Sequence, residues 1–455
     1  MADLTVWLLA AAGAVPVLLS VIFARGAGRA GEHIAARRAL LYGLSAGALL
    51  WAAGMLPGHL RLLLLVALGA VLLVLLLLLI LPLGRVMVEI ETPASRYDER
   101  DIPFARFRLQ PGSARYHDYY RSRPAQEAAD NKTRRLPGLL SLRSREARPL
   151  PFAAAMASFQ FIRELRDSVE GGNAEAQPEL AAEAARLSPA EMSGWLKRLA
   201  RFYGARSAGV TLLKPCHLYS HIGRGPGRYG EKISLPHTHA LAFTVEMRNI
   251  PLQQGPGAAA VMESAREYAE AAGIAVQLAA FLRLLGASAR AHIDENYRVI
   301  CPLVARDAGL GEIGRFGLLI TPELGPRVRL AVVTTDLPLA PDAYVPDRSV
   351  IDFCTFCTKC ADICPAGAVP TGGRECSAGV LRWKIDADAC YRYWSTVGTD
   401  CGRCMAVCPY SHIPLASPAW VRTLLHRSGF ARRAFLFLDN LLYGRRPAPH
   451  PGFRI

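Results

Sequence analysis

The chain has 455 residues, 51% apolar and 20% charged, and its 53 basic residues outnumber the 38 acidic ones for a net charge of +15. A mean hydropathy of +0.19 with so few charges excludes a mostly disordered chain, points to membrane insertion and leaves material for two or three folded units. The basic excess is almost all Arg, concentrated near the apolar N-terminus and around Arg134 to Arg148. No basic–aromatic stripe or finger motif accompanies it, so it reads as a membrane-surface feature and no nucleic-acid partner is expected.

Three runs nearly free of charge come first: Leu4 to Phe23, Ala39 to Leu56 and Leu62 to Leu83. Each has about 18–22 residues, enough at ~1.5 Å per residue to cross a ~30 Å hydrocarbon core. Residues 1–84 are therefore read as a membrane anchor of three transmembrane helices, with Pro57-Gly58 as the tight connection between the last two. Arg25, Arg29, Arg37 and Arg38 come after the first run, and Arg85, Arg96 and Arg100 after the third, whereas Arg61 alone marks the 57–61 connection. The positive-inside rule then places the N-terminus outside and the C-terminal body in the cytoplasm. Arg37-Arg38, with a span on either side, reads as an orientation cluster rather than a twin-arginine export signal, and no removable signal peptide is evident.

Residues 85–151 are rich in Arg, Pro and Tyr without clear periodicity and read as an extended connector that partly packs on the body. Residues 152–349 alternate strand-like and helical runs. Ala240 to Met247 and Val328 to Thr334 read as buried strands and Pro256 to Leu285 as a long helix, which together imply an α/β layer fold.

The cysteines crowd into residues 350–420. Cys354, Cys357, Cys360 and Cys364 precede Pro365 as C-x-x-C-x-x-C-x-x-x-C-P, and Cys401, Cys404 and Cys408 precede Pro409 after an isolated Cys390. This is the spacing of a ferredoxin-like two-cluster domain, in which three close thiolates hold one cube and the fourth Cys, turned away by its Pro, ligates the other. One 4Fe–4S cluster is assigned to Cys354, Cys357, Cys360 and Cys408. The other is assigned to Cys364, Cys401, Cys404 and Cys390, with Cys376 as a substitute for Cys390. Zinc favours two separated ligand pairs, and a cytoplasmic chain has little use for disulfides. Cys216, Cys301 and, by default, Cys376 are read as buried, inert thiols. Residues 421–455 are a C-terminal helix and tail.

The stretch Asp307 to Leu339, DAGLGEIGRFGLLITPELGPRVRLAVVTTDLPL, closely resembles the reductive dehalogenase family of corrinoid- and iron–sulfur-dependent enzymes. The resemblance covers roughly residues 152–414, and the long motif leads into the cluster motifs in the family's order. It implies a nitroreductase-like corrinoid-binding core over 152–349. Epoxyqueuosine reductase, a tRNA-modifying enzyme that typically has Gly-Lys where this chain has Gly314-Arg315, is similar at greater distance. By position, the resemblance makes Tyr268 the proton donor to the dehalogenated carbon, Arg329 the cation beside it and Asn296 a pocket residue. It makes Gly309, Gly311, Gly314, Arg315 and Gly317 a turn allowing close approach of the corrinoid. No D-x-H-x-x-G motif is present, which implies a base-off corrinoid of the cobalamin type. The chemistry supports the trio independently: removal of a halide by two electrons leaves a carbanion-like centre that needs a proton. A Tyr holds one at neutral pH, and an adjacent guanidinium lowers its pKa and stabilises the phenolate. His237 and His239 could pair on a metal, but strand-edge packing is the favoured reading.

The resulting expectation is a membrane-anchored reductive dehalogenase acting on an organohalide, with electrons passing through two 4Fe–4S clusters to cobalt. Its catalytic domain would face the cytoplasm from the inner membrane, in contact with lipid, and its donor would be quinol-linked or of the ferredoxin/flavodoxin type. The alternatives are an epoxyqueuosine-type tRNA nucleoside reductase and a membrane-bound electron-transfer ferredoxin.

Overall fold

The computed structural model describes residues 2–83, 93, 95–169, 171, 175–377, 379–412 and 418–446. Arg85 and the start of the connector lie outside these, as do the last residues of the tail.

Two helices, Leu4–Arg29 and Gly58–Ile80, are long and apolar enough to cross a membrane. The run expected to span at 39–56 is also helical. Its helix runs His33–Ala52, includes Arg37 and Arg38, and ends before Ala53–Met55 tightens into a 3-10 turn. With two Arg in its first two turns it is less apolar than the other two. It packs along the first helix, with Ala35, Ala39, Gly43 and Gly47 buried. A Cβ on Gly43 would lie 2.2 Å from Ser20 Oγ, and one on Gly47 2.8 Å from the Gly13 carbonyl oxygen. Small residues let the two backbones approach closely, as helix pairs in lipid require.

The body is built on a four-stranded antiparallel sheet of order β1-β2-β6-β3, formed by β1 (Ser207–Leu212), β2 (His239–Glu246), β3 (Ala289–His292) and β6 (Val328–Thr335). Between β3 and β6 the short strands β4 (Glu312–Ile313) and β5 (Leu319–Ile320) form a hairpin. Strand alternation divides the core. Leu241, Phe243, Val245, Ala331 and Val333 pack toward the helix Ala258–Leu284, while Ala240, Ala242 and Val332 pack toward the helix Cys301–Asp307. With both faces covered, β2 reads as a continuous apolar run. Arg329 shares the parity of Ala331 and Val333, so it points to the long helix.

The connector corrects the expectation of an extended segment. Pro103–Arg106, Ala114–Tyr120 and Pro124–Arg134 are helices. They enclose a small core of Leu109, Tyr116, Tyr119 and Tyr120, around the buried Arg106–Asp130 ion pair at 2.9 Å. A tyrosine every few residues buries enough surface for this satellite core without the periodicity of a longer helix.

The cysteine-rich segment consists of the helices Arg348–Cys357, Lys359–Asp362, Ala387–Val397 and Arg403–Ala406 with a hairpin of β7 (Glu375–Ser377) and β8 (Val380–Arg382). Two further helices come next, Ala419–Arg427 and Gly429–Tyr443. They tie the end of the chain to the N-terminal helices. Ser428 Oγ donates to the Leu78 carbonyl at 2.9 Å, the Gly429 amide to that of Leu83 at 2.8 Å, and Arg38 to that of Leu442 at 3.1 Å.

Candidate functional site

A cavity of about 740 Å³ opens between the sheet, the long helix, the connector and the cysteine-rich segment. Val261, Ser264 and Tyr268 reach it from one face of the helix Ala258–Leu284, spaced three and four residues apart. Arg329 reaches it from β6. The two halves meet where its guanidinium carbon lies 4.4 Å from the centre of the Tyr268 ring. Arg329 donates to Ser264 Oγ and, at 3.1 Å, to Asp400 Oδ2. Thus Asp400, immediately before Cys401, ties the cation to the cysteine-rich segment.

Burial pushes the Tyr268 hydroxyl above its ordinary range, and Arg329 opposes but does not reverse the effect. The expected net lowering is therefore corrected: removing a phenol from water costs more in the charged form than one guanidinium, itself paired to Asp400, returns. The result is a firmly protonated tyrosine beside a cation. Arg329 is itself shifted upward; burial opposes its charge, but Tyr268 and Asp400 outweigh that. Asp400 is raised by burial, with Arg329 acting the other way.

Asn296 does not line this cavity. It is buried, and its Oδ1 accepts from Arg290 at 2.7 Å. It closes a turn through its amide to the Ile293 carbonyl at 3.0 Å, while its neighbours Asp294, Glu295 and Tyr297 form the wall. Glu295 lies at φ 64, in the left-handed region a residue other than glycine seldom occupies without a surrounding constraint. Sequence reasoning missed these three, together with Arg224, Tyr219 and Asp400. The one available signal was Asp400, a carboxylate placed directly against a cluster motif.

The glycine-rich turn also lies elsewhere than expected: Gly309, Gly311, Gly314, Arg315 and Gly317 are not among the residues lining the large cavity. Gly314 approaches Cys354, since a Cβ there would be 3.6 Å from its Sγ and 2.6 Å from Ile320. Arg315 is almost wholly buried and donates to the carbonyls of Cys354, Thr355, Pro370 and Gly372. It stacks 4.9 Å over Trp383. The turn therefore braces the cysteine-rich segment; only its continuation, Leu318 and Leu319, reaches the cavity. His237 bonds Thr334 at 2.7 Å and Ser288 at 3.0 Å, which accounts for it as strand-edge packing.

Cys354, Cys357, Cys360 and Cys408 surround a separate small cavity with Arg315, Lys359 and Tyr410. Cys364, Cys390, Cys401 and Cys404 form a second group, near enough that Cys404 feels the charge of the other three and Cys390 that of Cys364 and Cys401. Cys376 is exposed on β7, apart from both groups. Burial pushes the Cys354 and Cys401 thiols up to about 11, so a cationic centre is what would ionise them. No three His, Cys, Asp or Glu among the described residues converge as ligands of one metal ion. The donors stand apart around a space, as a cube with iron at its corners requires. The residues present fit two such clusters. The large cavity fits a corrinoid with substrate: it is walled by aromatics, and Arg329 Nε and Asp400 Oδ1 are buried there without a hydrogen-bond partner among the described residues.

The fold and cysteine arrangement define a reductive dehalogenase-like α/β core joined to a two-cluster segment. Residues 353–412 match the 4Fe-4S dicluster domain. The structure is similar to the catabolic reductive dehalogenase NpRdhA, with a TM-score of 0.62 and 24% identity over 80% of this chain and 50% of that one. In sequence it is 29% identical over 293 residues to the tetrachloroethene reductive dehalogenase of Sulfurospirillum multivorans, covering 57% of this chain and 58% of that protein. It is 35% identical over 185 residues to that of Desulfitobacterium hafniense, covering 38% and 33%. The epoxyqueuosine reductase of Bacillus cereus shares 36% identity over 113 residues, 23% of this chain and 28% of that protein. The chain is a homologue of the reductive dehalogenases and, more distantly, of the epoxyqueuosine reductases. It spans less than two thirds of the length of these relatives.

Proposed function

We propose that the chain is a membrane-anchored, corrinoid-dependent reductive dehalogenase that replaces a halogen on an organohalide by hydrogen. The observation that carries this reading is the Arg329 guanidinium over the Tyr268 ring, inside a cavity large enough for a macrocycle and substrate. When bound, the corrinoid supplies the low-valent metal that reduces the carbon–halogen bond, with the two clusters as its electron source.

The rest falls to the chain. Tyr268 keeps its proton until a carbanion-like carbon is presented, then donates it from the hydroxyl. Arg329 meets the phenolate that remains, and Asp400 with Ser264 keeps the guanidinium over the ring. Tyr219, Tyr297, Tyr391 and Trp394 give aromatic walls that exclude water, so that other proton sources stay out. Tyr268, Arg329 and Asn296 are the proposed functional residues, with Asn296 acting through the turn that sets Asp294, Glu295 and Tyr297. The eight cysteines other than Cys216, Cys301 and Cys376 are the proposed cluster ligands, and the glycine-rich turn holds the first cluster close to the cavity. Three N-terminal membrane helices anchor the body on the cytoplasmic side.

The test is anaerobic reconstitution and a screen of organohalides, with cobalt, iron and corrinoid absorbance measured on the same protein. Corrinoid binding with halide release supports the reading; clusters without any corrinoid affinity leave an electron-transfer protein. Co-purifying tRNA would instead favour an epoxyqueuosine-type activity.

A further inference from the structure

A second cavity, of about 80 Å³, lies between the turn of the N-terminal helical hairpin and the cysteine-rich segment. It has room for about six waters or one six-membered ring. Glu32 and His33 come from the hairpin turn, His412 and Tyr443 from the C-terminal end, and Ile363 and Val407 stand directly beside Cys364 and Cys408. Its position is set by docking. A Cβ on Gly31 would lie 2.4 Å from Ile250, and Asn249 donates to Glu32 Oε1 at 3.0 Å. Glu32 is buried, and Tyr443 donates to its Oε2 at 2.6 Å. His412 stacks on Tyr443, with ring centres 3.6 Å apart, and its Nδ1 is held by Asp439, which also pairs with the buried Lys359.

A buried carboxylate and a buried imidazole beside a half-buried phenol, around a space with aliphatic walls, are costly for the fold. They sit at the end of an apolar helix pair, one residue from two cysteines. The large cavity does not use them. We infer that this is the site where electrons enter and that its donor is a membrane quinol. The site rests on the two-cluster reading above and names the donor class which that reading leaves open.

The ring lies between the aliphatic walls, with one hydroxyl at Glu32 and the other toward His33. Oxidation to the quinone breaks both O–H bonds. Two electrons leave singly, one to each cluster, and the protons pass to the Glu32 carboxylate and, through the exposed His33, to solvent. Lipid-soluble donor and buried acceptor thus meet at the membrane surface.

The test uses the full chain in detergent, iron-loaded, with a dialkylated 4-pyridone as single-ring quinol mimic, its binding read by calorimetry. We expect saturable binding of one mimic per chain and bleaching of cluster absorbance by a short-tailed benzoquinol. Glu32→Gln should weaken binding at least tenfold and slow bleaching by quinol, with iron content and bleaching by dithionite unchanged. His33→Ala, at an exposed position, should bind the mimic within about threefold of the parent but slow quinol oxidation tenfold or more. Non-saturable partitioning of the mimic, or bleaching that is indifferent to both substitutions, would overturn the site. Loss of iron with mimic binding retained would overturn the clusters and leave the site standing.

Discussion

At Tyr268 the proposed chemistry depends on one hydroxyl. Tyr268→Phe preserves the ring beneath Arg329, so clusters and corrinoid should be retained while turnover falls by on the order of 10²–10⁴. Unchanged turnover at full cofactor loading would pass the role to water or another residue. Arg329→Met keeps the bulk of the stem and should also slow turnover. The double variant should be less damaged than the product of the two singles, because the cation acts through the phenol. The pH dependence has a definite sign. The proton donor is active in its protonated form, and burial raises its pKa above the ordinary value near 10 despite Arg329. Turnover limited by this proton should be flat through neutrality and decline only in the alkaline range, a decline that Tyr268→Phe should abolish.

Among the elements, the turn carrying Arg315 and the helix ending at Asp307 each hold a buried charge whose removal is informative. Arg315→Ala leaves the carbonyls of Cys354, Thr355, Pro370 and Gly372 without their donor, at about 1–3 kcal/mol for each group that stays unsatisfied. Iron should drop from about eight atoms per chain toward about four, the second cluster surviving; retention of all the iron would remove the turn from its bracing role. Asp307 accepts from His217 at 3.0 Å and Lys214 at 2.7 Å, and Arg306 pairs with it at 2.8 Å. Burial would raise its carboxyl, but His217, Arg306 and Lys214 hold it well below the usual carboxylate range. A depressed folded-state pKa stabilises above the unfolded value near 4 and loses that contribution as pH falls below it. Asp307→Asn should therefore cost roughly 3 kcal/mol at pH 7 and progressively less below pH 4, as thermal melts at the two pH values would show.

For the whole molecule, the proposed three spans and the Arg-rich turn after the first place the N-terminus and the body on opposite sides of the membrane. Reporters that work in the cytoplasm should be active when fused after residue 84, and reporters that work outside should be active at the N-terminus. An exported body would return Arg37-Arg38 to the status of a signal. Loaded protein should contain about eight iron and one cobalt; zinc without iron would end the two-cluster assignment.

Local spacing alone was enough for several features. The cysteine intervals and the prolines after them constrain which thiolates can share a cube, and the run VRLAVVT is legible as a strand because its burial is nearly continuous. The apolar runs of the first and third helices are likewise read directly. Tertiary structure was needed wherever a group depends on distant partners. Asp400 meets Arg329 because 71 residues of chain return to the same wall. The glycines of the motif serve the cysteine segment because Arg315 finds its four carbonyls there. The second helix packs on the first through Gly43 and Gly47, a pairing that hydropathy alone does not show. Tyr268 keeps its proton through burial, a property of the assembled cavity. Local pattern specifies which groups are available, whereas desolvation and long-range pairing, which set their protonation and their neighbours, exist only once the chain has folded.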